Sequence, residues 1–148
     1  MPVTEKTRIS RRGLARRVTS QALYQWLVNE TEPKLMLSQF QEEGLGRADA
    51  EYFQELLNGC VQEVVPLTQA FGKHLDRPLE QIDPVERAIL MVGSYELIYK
   101  PDVPWRVAVN EAVNLAKTFG AADSYKYING VLDRIAHEVR AEQISAGL

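Results

Sequence analysis

Residues 83–97 read DPVERAILMVGSYEL, and the reading of this stretch decides the fold. Asp83 can cap free helix amides, Pro84 suits a first turn that needs no amide partner, and Glu86 stands where a capping box wants an acid. Behind this start Val85, Ala88, Ile89, Val92 and Leu97 recur at helical spacing up to Lys100-Pro101. The pattern predicts a helix with one core-facing side, opened and closed by its own punctuation.

The same period runs outward in both directions. Downstream, a second start at Pro104 leads into Ala108, Ala112, Leu115, Ala116 and Phe119, with Gly120 placed for a left-handed helix end. A third helix opens near Asp123-Ser124 and carries Ile128, Val131, Leu132, Ile135 and Val139 inward. Val107 to Val109 alone hints at strand alternation, and the longer helical period overrides it. Upstream, Leu14, Val18, Ala22 and Trp26 form a stripe widened by Ala15, Leu23 and Leu27. Residues 33–42 make a short helix with Leu37 and Phe40 inward. From Asp49 to about Val65 a helix buries Phe53, Leu56, Leu57, Cys60, Val61 and Val64, and Pro66 should end or kink it. A short helical stretch, LTQAFGKHL, follows. The expected fold is all-α: a compact bundle of about seven helices in two packed helical subdomains, residues 10–76 and 77–148. Their seam falls near Leu75 to Pro78, and residues 1–9 form a flexible basic arm ahead of them.

A chain of 148 residues is long enough to bury roughly 70% of its unfolded surface in one domain. The single cysteine, Cys60, cannot pair within the chain, which fits a reducing compartment. No apolar run approaches a membrane span, and no apolar region follows the charged N-terminus as a secretory signal requires. A cytoplasmic setting is expected.

The net charge of −3 conceals an asymmetry. Residues 1–17 hold six basic groups against Glu5 alone, and the rest of the chain holds 11 basic and 19 acidic ones. Arg11, Arg12, Arg16 and Arg17 crowd a helix start, where the macrodipole disfavours cations. A polyanion would compensate them; a solvated charged tail accounts for the same composition.

Catalytic motifs are absent: there is no Gly-rich phosphate loop, no GxSxG and no HExxH. His74 and His137 lie far apart and lack companions at metal-ligand spacing, so one reads as a helix-end and the other as a surface residue. Cys60 sits on an apolar stripe as a small core residue, and Asn110-Glu111 reads as a buried polar bridge between helices. Neither an enzymatic role nor a cofactor is expected, and a binding function leads.

On the first helix Arg17 and Tyr24 fall within about 20° of each other at 3.6 residues per turn. Tyr24 therefore stands off the core stripe beside cations, as a single-stranded RNA surface would have it, with phosphates on guanidinium groups and bases on the ring. The alternative is a Tyr24 packed under a loop with its hydroxyl bonded. A second patch lies at the last long helix, where Tyr127 edges the core stripe near Arg134 and Lys126 points outward near a helix start able to receive phosphate. Asp123 competes for those amides if it caps.

RRGLARRVTSQALYQW, DPVERAILMVGSYEL and DVPWRVAVNEAVNLAKTFGAADSYKYINGVLDRIA, taken together, resemble the bacterial NusB family of transcription antitermination factors. The similarity runs from about Ser10 to Ala136. It implies two packed subdomains of three or four helices. It also implies binding of boxA, a short single-stranded stretch of nascent RNA, together with NusE, which doubles as a small-subunit ribosomal protein. The pair helps RNA polymerase read through termination signals, in particular on ribosomal RNA operons. Position by position, the resemblance assigns RNA binding to Arg11, Arg12, Arg16, Arg17, Tyr24, Asp123, Ser124, Lys126 and Tyr127. It puts part of the partner surface on the helix of Glu86, Arg87 and Met91. Members commonly carry Arg where Met91 stands, so that contact is weakened or moved to Arg87, and Gly13 and Leu14 replace further basic residues. A helical scaffold or homodimer whose basic arm docks on an acidic partner is the other reading.

Overall fold

The computed structural model describes residues 9–148, so the expected arm lies outside it except for Ile9. Among the described residues the chain runs α1 (Arg11–Asn29), α2 (Pro33–Glu43), α3 (Ala50–Gln62), α4 (Val64–Gly72), α5 (Pro84–Tyr99), α6 (Trp105–Phe119), α7 (Ser124–Val139) and the single-turn α8 (Ala141–Ser145). A 3-10 turn at Leu79–Gln81 precedes α5. No strand occurs among these residues, and Val107 to Val109 lie inside α6. None of these helices is long and apolar enough to cross a membrane.

Helix α5 is the hub because it is apolar nearly all round. Asp83 caps it as expected, its carboxylate accepting from the Val85 amide at 2.7 Å. Ala88 through Ser94 are all buried, and α1, α3, α4, α6 and α7 pack around them. At Gly93 a Cβ would lie 2.6 Å from Leu132, so the missing side chain lets α7 come close. The far end of α5 is held by Arg140, which is buried at the end of α7. It donates to the carbonyls of Glu96 (3.1 Å), Leu97 (2.8 Å), Lys100 (2.9 Å) and Val103 (2.9 Å). Of these the Leu97 carbonyl has no i+4 amide, because Pro101 stands there, while the carbonyls of Glu96 and Lys100 also accept from the amides of Lys100 and Val103.

Three local expectations are corrected. The break after α3 comes at Glu63, not Pro66, which sits in the first turn of α4 where its missing amide costs nothing. Gly120 is not left-handed (φ −86°). It is glycine for space, since a Cβ there would meet Ser124 Oγ at 2.4 Å and the Ala116 carbonyl oxygen at 2.7 Å. Helix α1 buries Gly13, Ala15, Arg16, Thr19, Ser20, Ala22 and Leu23, while Leu14, Val18, Trp26 and Leu27 are only half-buried. Its inward face is thus rotated from the apolar stripe toward polar residues. Thr19 and Ser20 satisfy their hydroxyls on the carbonyls of Ala15 and Arg17, both at 2.8 Å.

Candidate nucleic-acid interface

The four arginines of α1 do not form one cationic face. Ser10 caps the helix, accepting from the Gly13 amide at 2.9 Å, and the arginines then diverge around its first turns. Arg11 is exposed and donates to the Arg47 carbonyl at 3.2 Å. Arg12 lies 4.0 Å over the Tyr52 ring and 3.7 Å from Asp102. Arg17 is half-buried and lines a polar cleft of about 550 Å³ between α1 and α6, with Glu111, Asn114, Lys117 and Thr118 across from it.

Arg16 was expected among the RNA contacts, and its position corrects that. It is only 3% exposed. Its Nε donates to both Glu96 oxygens at 2.9 and 3.0 Å, and its Nη1 to Glu111 at 2.9 Å. The Tyr52 hydroxyl donates to the same Glu96 carboxylate. Burial by itself lowers the Arg16 pKa, but the hydrogen bond and charge of Glu96, with Tyr52 and Glu111 adding, raise it above the ordinary value. Burial, followed by the Glu96 charge, pushes the Tyr52 phenol up. The network ties α1, α3, α5 and α6 together. Glu111 is therefore the expected bridge between helices, whereas Asn110 is exposed.

Tyr24 is on the surface, 40% exposed. It stands at a cleft of about 430 Å³ whose walls are mainly apolar, formed with Phe40, Val85 and Phe119 and edged by Gln21 and Gln25. A planar ligand fits such a site: rings to lie against and amides at the rim.

At the start of α7, Lys126 is exposed and Tyr127 half-buried. The Tyr127 hydroxyl accepts from the Asp76 amide at 3.3 Å, and Arg77 lies 4.7 Å over its ring. With His74 and Arg134 these two line a small cleft of about 240 Å³. Asp123 occupies the cap position in a left-handed conformation (φ 67°) but caps nothing; its carboxylate is 3.5 Å from Lys126 Nζ. Ser124 is buried, with its Oγ unpartnered, so its expected place on the RNA surface is corrected too. Val85 shares the Tyr24 cleft, and the charge of Arg77, which covers Tyr127, acts on the neighbouring Glu86.

Among the described residues no group of three or more His, Cys, Asp and Glu could hold a metal ion. His74 bonds Glu138 at 2.5 Å, His137 Nδ1 donates to the Asp133 carbonyl at 2.8 Å, and Cys60 is fully buried.

A model of the NusB family matches residues 14–137. The chain belongs to the NusB family. Transcription antitermination protein NusB of Ralstonia pickettii (strain 12J) is 47% identical over 138 residues, covering 93% of this chain and 89% of that one. The NusB of Thiobacillus denitrificans (strain ATCC 25259 / T1) is 46% identical over 134 residues, covering 90% and 92%. Among solved structures, NusB of T. maritima superposes with a TM-score of 0.79 at 26% identity, covering 90% of this chain and 96% of that one. A chain from the crystal structure of antitermination factors NusB and NusE in complex with dsRNA gives 0.78 at 25% identity, covering 86% and 97%.

Against the NusB pattern, the partner residues expected on α5 separate. Glu86 and Arg87 are half-buried at the surface end of the helix, and Arg87 Nε is buried without a partner. Met91 is fully buried, one turn further in, its carbonyl facing the Cys60 thiol at 3.7 Å. It cannot touch a partner, which corrects its assignment. Burial pushes the Glu86 carboxyl up, Arg77 pulls it down and Asp83 pushes it up again. Arg77, Lys117 and Tyr125 also take part in the cationic and aromatic surface. Arg77 is a loop arginine with no motif around it, and the NusB-like stretch that holds Lys117 and Tyr125 does not say which of its members face outward.

Proposed function

We propose that this chain binds boxA, a short single-stranded element of nascent RNA, together with NusE, and that the pair supports read-through by RNA polymerase, notably on ribosomal RNA operons in the cytoplasm. The observation that carries this reading is the exposed Tyr24 on an aromatic-walled cleft, borne by the same helix, α1, whose first turns carry Arg11, Arg12 and Arg17. Arg11, Arg12 and Arg17 neutralise phosphates, Tyr24 and Tyr127 lie against bases, and Lys126 adds a charge at the start of α7. Asp123 faces the same strand. Glu86 and Arg87 meet NusE. The complex of NusB and NusE with double-stranded RNA among the similar structures supports an RNA-plus-NusE assembly.

Fluorescence anisotropy with labelled boxA as a single strand, its duplex, and an unrelated single strand tests the reading. Single-stranded boxA is expected to bind tightest, with a log–log salt slope of about −0.7 per phosphate contacted. Tyr24→Ala is expected to cost about 1–3 kcal/mol without changing that slope, because stacking releases few counterions. Equal binding of all three RNAs, or capture of NusE that RNA does not strengthen, would overturn it.

A further inference from the structure

The clefts of Tyr24 and Arg17 adjoin. Ser20, Gln21 and Tyr24 line one and Gly13, Arg16 and Arg17 the other, and the last turn of α6 divides them, with Phe119 facing the first and Lys117 and Thr118 the second. Arg17 and Tyr24 are separated by seven positions of α1, about 10 Å along its axis. Among the described residues neither Arg17 nor Lys117 makes an ion pair. The one carboxylate in the polar cleft, Glu111, is held by Arg16 at 2.9 Å. Arg16 divides its single charge between Glu96 and Glu111, so Arg17 and Lys117, the two lining cations without an ion pair among the described residues, leave the trough net positive. The ammonium of Lys117 lies 5.0 Å from the centroid of the Tyr125 ring, and that of Lys126 lies 6.0 Å from the same centroid. An ammonium held near a ring face keeps its charge while losing freedom, so it is placed before a ligand arrives.

Resting on the RNA reading above, we infer that the α1/α6 cleft is a second contact for the same strand: Arg17 and Lys117 hold a phosphate between them, and Tyr125 positions Lys117. The strand then runs along α1, its backbone in the polar cleft while a neighbouring base enters the aromatic cleft at Tyr24. An acidic polypeptide would satisfy the two cations as well. It has no use for the adjoining cleft of Tyr24 and Phe119 with Gln21 and Gln25 at its rim, whereas a base uses rings and amides together.

The test is a salt titration of the full chain with labelled single-stranded boxA. Lys117→Gln and Arg17→Gln should each reduce the slope by about 0.7, and Lys117→Arg should keep it. Tyr125→Leu should weaken binding and reduce the slope partly, while Tyr125→Phe restores both. Circular dichroism melts confirm that each variant folds, since Lys117 is exposed and Arg17 makes no ion pair. An unchanged slope in Lys117→Gln, with Tyr24→Ala still weakened, overturns this second contact and leaves the first reading standing. A wild-type chain that binds no RNA removes both. Binding of poly-glutamate that both charge variants lose, with boxA binding unaltered, would put a protein in the cleft and overturn the inference.

Discussion

Arg16 and Glu96, 80 positions apart, meet in the interior with the guanidinium Nε within 3.0 Å of both carboxylate oxygens. The most cationic segment of the chain thus spends one of its charges on holding the first helix to the hub helix. A buried pair that also satisfies Tyr52 and Glu111 specifies which face of α1 turns inward, a task the mixed polarity of that helix leaves open.

Arg16→Ala is therefore expected to act on stability and not on RNA affinity. It leaves Glu96 buried and unpaired, a loss of about 3–5 kcal/mol. Urea denaturation should show the midpoint drop, and the folded fraction should keep the wild-type salt slope with boxA. Arg16→Lys should recover little, because an ammonium cannot present the same planar fork to two carboxylates. A stable Arg16→Ala protein with a smaller slope would make Arg16 a phosphate contact after all.

Arg140→Met should be nearly as damaging. The guanidinium serves four carbonyls around the end of α5 and the Gln143 side chain at 2.9 Å, and its own charge is disfavoured there by burial, which lowers its pKa. Removing it strands the carbonyls of Leu97 and Val103, those of Glu96 and Lys100 keeping amide partners, and should cost about 3 kcal/mol. Hydrogen exchange should speed up first at Lys100 to Val103. Unchanged protection there would show that water replaces the side chain.

The helices around α5, α6 and α7 were legible because each carries its own start and stop, at Asp83-Pro84, Pro104 and Asp123, and an apolar side at one period. The inward face of α1 was not. Its anchor is an arginine, and an arginine reads as a surface residue until Glu96 and Tyr52 are brought to it by the fold. Pro66 and Gly120 misled for a shared reason: each residue type has two uses. Proline also fits a first turn, and glycine also serves close approach. At the site, Tyr24 and Lys126 were recoverable from helical phase alone. Ser124 and Met91 were not, because a family motif does not say which of its members face inward. Lys117 and Tyr125 gain meaning only from where α6 ends relative to α1.

Gly120→Ala tests the spatial reason for that glycine. The added methyl would overlap Ser124 Oγ and a backbone carbonyl, so α6 and α7 must part, at a cost of about 1–3 kcal/mol. Thermal melts should show the loss. Adding Ser124→Ala should relieve only part of it, since the Ala116 carbonyl, 2.7 Å from the new atom, belongs to the helix and cannot rotate away. Full recovery in the double variant would mean the hydroxyl was the only obstacle.

Glu86→Gln separates stability from partner binding at the start of α5. Burial raises the Glu86 pKa in the folded chain above its ordinary 4.5, with Arg77 opposing and Asp83 adding to the shift. The folded state then binds this proton more tightly than the unfolded chain. Stability conferred by the protonated form is present below the ordinary carboxylate value and is lost as pH rises through the folded pKa. The glutamine variant should accordingly resist urea better than wild type near about pH 7, and the difference should vanish near about pH 4. If Glu86 meets NusE as proposed, the same stabilised variant should retain less NusE in a pull-down. A stability gain independent of pH would show that the carboxylate's charge is not what burial opposes, and retention of NusE at the wild-type level would move the partner contact off this residue.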